Sequence, residues 1–178
     1  MNNDIAKVLL DEAQIASVVD GIAEKINKDY ENEELVVVGI LKGSIMFLAD
    51  VFRKLEVNCS IDFMAASSYG SGTVSSGKVV IKKDLSTDIK GKHVLIVEDI
   101  LDTGNTLSYI KDYLLKREPL SVKICTLFDK PSRRQKPISP DYVGRTIPDL
   151  FVVGYGLDYD EKYRNLPYIG VLKPEVYS

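Results

Sequence analysis

An α/β domain built on a mostly parallel twisted sheet flanked by helices is what the sequence predicts, and three observations carry that reading. Continuous apolar runs of strand length alternate with segments whose apolar residues recur at helical spacing. The runs at 35–41 and 93–98 lack the in-out alternation of a half-exposed strand and read as strands covered on both faces. Each is followed by a polar turn and a helical pattern, the order that winds parallel strands into one sheet. Ligands of such folds bind beyond the carboxyl ends of the strands, so chemistry is expected in the turns after Leu41, Glu98 and Leu157.

Taken in order, Ile15, Val18, Val19, Ile22 and Ile26 mark an amphipathic helix over 11–30, with Asp11 and Gln14 placed as a variant capping box. The strand at 35–41 closes on Lys42-Gly43-Ser44 and leads to a helix carrying Leu48, Val51, Phe52 and Leu55. Strands at 60–66 and 79–83 flank a gap rich in serine and glycine, 67–78. The strand at 93–98 leads to a helix with Leu107, Ile110 and Leu114 on one face. Strands at 121–128, 151–155 and 168–172 complete the series, and no internal repeat interrupts it.

At 178 residues the chain reads as a single domain, 1–178, large enough to bury a core without metal or disulfide staples. Hydrophobic residues at 45% and charged residues at 28% are ordinary for a soluble protein. A net charge of -3 argues against nucleic acid as the main partner, since that needs a clustered basic face. The short cluster Arg133, Arg134 and Lys136 reads as a solvated loop. Cys59 and Cys125 lie in apolar stretches without metal-ligand spacing and read as buried free thiols. No basic leader and no apolar run of bilayer length is present, which places the chain in the cytoplasm and away from membranes.

The segment 97–107 puts Glu98, Asp99 and Asp102 within five residues at the end of an apolar strand. Like charges so close repel, and the cluster becomes favourable when it meets a cation or hydroxyl donors; a sugar diol with magnesium supplies both. Thr103, Gly104, Asn105 and Thr106 then open a helix, a cradle for a phosphate monoester on backbone N–H groups. Helix capping alone could explain Thr103 or Thr106, but not an acidic pair directly on an apolar strand. The turn has neither the P-loop spacing nor the paired glycines of a dinucleotide fingerprint.

These residues resemble the phosphoribosyl-pyrophosphate signature of type I phosphoribosyltransferases: hydrophobic strand, acidic pair, third acid and phosphate loop. The signature names the donor and leaves the acceptor open. Leu41-Lys42-Gly43-Ser44, Ser68-Tyr69-Gly70, Leu127-Phe128-Asp129-Lys130 and the stretch 151–164 are in turn similar to the hypoxanthine-guanine members, in the same order. That resemblance covers 7–177 and implies the family's fold, with a small hood over the site built mainly from the C-terminal segment.

It also implies roles. Glu98 and Asp99 would hold the ribose hydroxyls and Mg2+, while Thr103, Gly104, Asn105 and Thr106 would hold the 5'-phosphate. Lys42, Gly43 and Arg164 would bind pyrophosphate, and Asp158 would serve a second Mg2+ there. Lys130 would donate to the purine O6, Phe151 would stack on the ring, and the Val152 carbonyl would read its edge. An ammonium has only donors, which suits a carbonyl and mismatches the amino group of adenine. Asp102 would take the imidazole proton of the base. The Leu41–Lys42 peptide would be cis, and Ser68 and Tyr69 would belong to a lid over 67–78 that is mobile without ligand.

The implied activity joins a purine base to phosphoribosyl pyrophosphate, giving a nucleoside monophosphate, in a homo-dimer or homo-tetramer. Taken alone, Phe151 reads as core and Lys130 as a solvated strand-end residue. Asn105 departs from other members at a phosphate-loop position, and His93 matches no catalytic one. Two other readings stay open: a regulator that uses this fold to sense nucleotides and bind RNA, and an enzyme preferring xanthine with guanine, or adenine. The net acidic charge counts against the first.

Overall fold

The computed structural model describes residues 2–68 and 79–177. Strands are β1 (Ile5–Leu10), β2 (Glu34–Leu41), β3 (Asn58–Ser68), β4 (Val79–Lys83), β5 (His93–Leu101), β6 (Ser121–Asp129), β7 (Tyr142–Thr146), β8 (Val152–Val153) and β9 (Ile169–Leu172). Helices are α1 (Glu12–Asp29), α2 (Ile45–Phe52), α3 (Asn105–Leu115) and α4 (Pro174–Tyr177).

A six-stranded sheet in the order β4-β3-β2-β5-β6-β7 forms the body. Its five strands from β3 to β7 pair in parallel, and β4 joins β3 antiparallel at the edge. The apolar runs at β2 and β5 are central, which is why they carry no alternation. Val37, Leu95 and Val97 pack with Ile22, Ile26, Phe47 and Leu48 of α1 and α2 on one face. Val36, Val38, Val94 and Ile96 pack with Leu107, Ile110 and Leu114 of α3 on the other. The predicted capping box opens α1: the Gln14 N–H donates to Asp11 Oδ1 at 2.8 Å, and the Asp11 N–H donates to Gln14 Oε1 at 3.0 Å.

The second sheet, β1-β9-β8, is antiparallel and draws its edge strand from the beginning of the sequence. β1 was not foreseen, because three of its six residues are exposed and leave little pattern to read. β7 was missed for a similar reason: Tyr-Val-Gly-Arg-Thr is a polar edge strand. The expected strand at 151–155 shrinks to two residues, because Gly154, Tyr155 and Gly156 turn to φ 96, 51 and 100°. Cys125 is buried as expected, whereas Cys59 is only half-buried. Ser67 and Ser68 end β3, and the rest of the expected lid, Tyr69 included, lies outside the described residues. Among those residues no helix is long and apolar enough to cross a membrane.

Candidate active site

Strand β5 runs past the point where its side chains turn polar. Its ladder with β6 continues as Glu98↔Thr126, Ile100↔Phe128 and Leu101↔Asp129, so the acidic pair lies within paired backbone and the turn begins only at Asp102. Reading by hydrophobicity ended the strand three residues early. Asp99 is buried and Glu98 half-buried. Burial pushes the Glu98 carboxyl well above the usual range and the Asp99 charge pushes it further. Burial also raises Asp99, against the opposing pull of hydrogen bonds and the Arg164 charge.

After the turn, α3 starts on Gly104, which stands at φ 82° as its N-cap. Gly104 supplies no side-chain cap, while the Thr103 hydroxyl accepts a long hydrogen bond from the Asn105 N–H at 3.4 Å. A Cβ at 104 would fall 2.6 Å from Ile138 Cγ2. Above the turn opens a cleft of about 260 Å³ walled by Glu98, Asp99, Asp102, Thr103, Gly104 and Thr106. Asn105 turns its Nδ2 to Gln135 Oε1 at 2.9 Å.

Arg134 corrects the reading of its cluster as a solvated loop. Its side chain is 15% exposed and grips the acidic turn from behind. Nε donates to the Asp102 carbonyl at 3.0 Å and Nη2 to the Leu101 carbonyl at 3.2 Å. Further bonds reach the Ile138 carbonyl and the Asp129 carboxylate. The Gln135 and Lys136 amides both donate to the Thr103 carbonyl. Arg133 faces the other way, with Nε 3.1 Å from Asp102 Oδ1 and Nη1 3.4 Å from Asp149. The first is a charge contact without hydrogen-bond alignment, so the buried Asp102 Oδ1 has no hydrogen-bond partner.

The loop after β2 meets this turn from the side. The Leu41–Lys42 peptide is cis, as the resemblance implied, and the buried Ser44 hydroxyl donates to the Ile40 carbonyl at 2.6 Å. Gly43 passes so close that a Cβ there would lie 1.8 Å from Asp99 Oδ2. A Cβ at Gly156 would lie 2.1 Å from the Gly43 carbonyl and at φ 100°, so only glycine fits there, whereas a side chain at 43 would displace the Asp99 carboxylate. Arg164 Nη1 donates to the Gly156 carbonyl at 2.7 Å and Nη2 pairs with Asp158 at 2.9 Å. Its Nε is buried and has no partner. Lys42 reaches Glu161 at 2.9 Å on the surface.

The opposite wall is less polar. A second cleft, also about 260 Å³, is lined by Asp99, Ile100, Asp102, Lys130, Phe151, Val152, Leu157 and Asp158. Lys130, expected from its local sequence to be solvated, has a side chain only 8% exposed and stands 3.6 Å from Asp149. Phe151 is not core: it is 36% exposed. The structure thus brings Asp102, Lys130, Phe151, Val152 and Asp158 around one space, with Glu98, Asp99 and the 103–106 turn beside it. His93 stands at the other end of β5, its Nδ1 2.8 Å from Ser121 Oγ.

Residues 6–160 match the phosphoribosyl transferase domain. The chain belongs to the phosphoribosyl transferase family. It is 54% identical, over all of this chain and 99% of the other, to the hypoxanthine-guanine phosphoribosyltransferase of Staphylococcus aureus. The crystal structure of a hypoxanthine phosphoribosyltransferase from the same species superposes with a TM-score of 0.97 at 54% identity, covering 100% of this chain and 97% of that one. A hypoxanthine-guanine phosphoribosyltransferase from Bacillus anthracis gives 0.89 at 44% identity, covering 95% and 98%.

Phosphoribosyl transferases generally use Mg2+ with their donor. The donor set here suits such an ion. Glu98 and Asp99 offer hard oxygen ligands; burial raises both carboxyls, the Asp99 charge pushes Glu98 further, and a divalent cation relieves that strain. Among the described residues no three acidic, histidine or cysteine side chains converge to cage a metal. One or two carboxylates completed by substrate oxygens and water is the ordinary way Mg2+ is held. Four residues around the site went unforeseen: Ile100, Arg133, Arg134 and Asp149. Nothing in a local pattern separates them from core or surface; the fold of the 131–138 loop against the end of β5 brings in the two arginines, and the segment between β7 and β8 brings in Asp149.

Proposed function

We propose that this chain transfers the 5-phosphoribosyl group from phosphoribosyl pyrophosphate to a 6-oxopurine, hypoxanthine or guanine, giving IMP or GMP and pyrophosphate. One observation carries the reading. A buried ammonium, a buried carboxylate oxygen without a hydrogen-bond partner and an exposed aromatic ring face a single cleft beside an acidic pair. The names of the full-length relatives at 54% identity agree with it.

In this reading the 5'-phosphate sits on the amides of Thr103, Gly104, Asn105 and Thr106, where Gly104 supplies no side-chain cap and the Asn105 N–H makes only a long bond of 3.4 Å to the Thr103 hydroxyl. Glu98 and Asp99 hold the ribose hydroxyls, and their field favours the positive charge that grows on the ring as the bond to pyrophosphate breaks. Arg164, with its unpartnered Nε, and the Lys42-Gly43 loop receive the leaving group. Mg2+ at Glu98 and Asp99, with a second ion at Asp158, supplies neutralisation of the pyrophosphate charge. Phe151 and Ile100 flank the flat base, Lys130 donates to O6 and the Val152 carbonyl accepts from its edge. Asp102 takes the imidazole proton as the glycosidic bond forms. The enzyme acts in the cytoplasm as a homo-dimer or homo-tetramer.

A competition assay with hypoxanthine, guanine, xanthine and adenine, phosphoribosyl pyrophosphate and Mg2+ tests this. IMP and GMP should form well ahead of the other two products. Preference for adenine, or no nucleotide from any base, overturns it.

A further inference from the structure

The ring proposed to stack on the purine already carries another ring. Tyr177 of α4 lies 4.7 Å from Phe151 between centroids, at an interplanar angle of 22°. Tyr159 meets Phe151 edge-on at 5.5 Å and Tyr177 at 6.5 Å. A phenyl ring has two faces, so which one Tyr177 covers decides its effect. The cleft lined by Ile100, Lys130, Val152 and Asp158 includes Phe151 but not Tyr177. Tyr177 lines the neighbouring recess, which shares Asp102, Lys130 and Phe151 with that cleft and adds Arg133, Asp149 and Leu150. Tyr177 thus stacks on Phe151 from the side of that recess, outside the lining of the base cleft.

The contact is held by backbone rather than by chance packing. The Leu172 N–H donates to the Phe151 carbonyl at 2.8 Å, and the Lys173 N–H donates to the Asp4 carbonyl at 2.9 Å. The Tyr163 hydroxyl donates to Asp4 at 2.9 Å, and Val176 packs against the cluster of Val153, Tyr163, Leu166 and Leu172. The strand end that carries Phe151 and the turn that carries Tyr177 are thus one unit.

We propose that Tyr177 is a positioning residue for base recognition, its ring backing Phe151 so that Phe151 presents a fixed face to the purine. The proposal rests on the purine-acceptor reading above. An exposed phenylalanine at the end of a two-residue strand would otherwise sample several rotamers, and ordering it would oppose base binding. A stacked partner orders it beforehand. Aromatic pairs of this geometry are worth about 3- to 10-fold in an equilibrium.

The test compares Tyr177→Ala and Tyr177→Phe with the wild type. Tyr177→Ala should raise the purine KM by about 3- to 10-fold, with the phosphoribosyl pyrophosphate KM within about twofold and a melting temperature lowered by only a few degrees. Tyr177→Phe, which keeps the ring, should restore the wild-type value. An unchanged purine KM in Tyr177→Ala overturns the proposal, as does a lower one, which would put the ring in the way of the base. Equal rises for both substrates in both variants overturn it too. Wild-type turnover in the same assay tests the transferase reading separately. Should that fail, calorimetric binding of IMP reads the same contact, and equal affinity in wild type and Tyr177→Ala overturns it.

Discussion

The two walls of the cleft are held in different ways. On the donor side the acidic turn is gripped by the β5–β6 ladder, by the guanidinium of Arg134 and by two amides on the Thr103 carbonyl. On the acceptor side Phe151 leads a strand of two residues, and its side chain rests on the rings of Tyr159 and Tyr177. The difference follows from the chemistry each wall faces. Stabilising charge that develops during bond breaking requires dipoles and carboxylates already fixed in place. Reading a flat, mostly apolar base requires area and one or two well-aimed polar groups, and rings can settle against it.

The largest effect expected from breaking this division comes at its junction. Asp102→Asn should lower kcat by about 10²- to 10⁴-fold, with donor KM changed only a few-fold. Near-normal turnover would remove Asp102 from proton transfer. Next comes the clamp. Arg134→Ala strands the Asp129 carboxylate and two turn carbonyls, and should cost about 3 kcal/mol in urea unfolding together with a drop in kcat. A loss of stability with kinetics intact would make the clamp a fold element alone. On the acceptor wall, Lys130→Ala should raise the purine KM by about 10- to 30-fold and leave the donor KM nearly unchanged. A shift in the donor KM alone would place Lys130 with the phosphates.

Asp62 sharpens the comparison from outside the cleft. Burial would raise its pKa, but the Phe63, Thr87 and Ser86 amides outweigh that and hold it at about 2, below the ordinary 3.8. A depressed folded-state pKa stabilises above the unfolded value and is lost as pH falls from about 4 through about 2. The contribution at neutral pH is about 2 kcal/mol. Asp62→Asn should therefore flatten the acid limb of the stability curve between those values while every kinetic constant stays put. A changed kcat would mean that β3 couples to the cleft more tightly than its position suggests.

The donor wall was the more legible of the two in the sequence. Hydrophobic runs marked β2 and β5, and carboxylates set directly on an apolar strand are costly enough to announce a ligand. The extent of β5 was not legible, because backbone pairing with β6 continues beneath Glu98 and Asp99 whatever their side chains are. Arg134 was invisible for a related reason: a guanidinium beside other cations reads as surface until the loop after β6 folds it inward. On the acceptor wall Lys130 and Phe151 emerged only through resemblance. Their local sequence pointed to solvent and core, and the structure has the lysine buried and the phenylalanine exposed. β1 left too little pattern to find, since its pairing partner lies at the far end of the chain.

That pairing has a consequence in time. Ile5 opposes Leu172 and Leu10 opposes Ile169, so β1 cannot find its neighbour until residues 169–172 have left the ribosome. The large sheet pairs strands much closer in sequence and can form earlier, since closing a short loop costs less entropy than closing a long one. The order expected is a donor wall assembled first and a base-reading wall added at the end. Pulsed hydrogen exchange during refolding should protect β5 and β6 amides before those of β1 and β9, and simultaneous protection would refute the order. Until then β1 waits as an unpaired strand, short and interrupted by Lys7, which is how edges that must stay single avoid pairing with other chains.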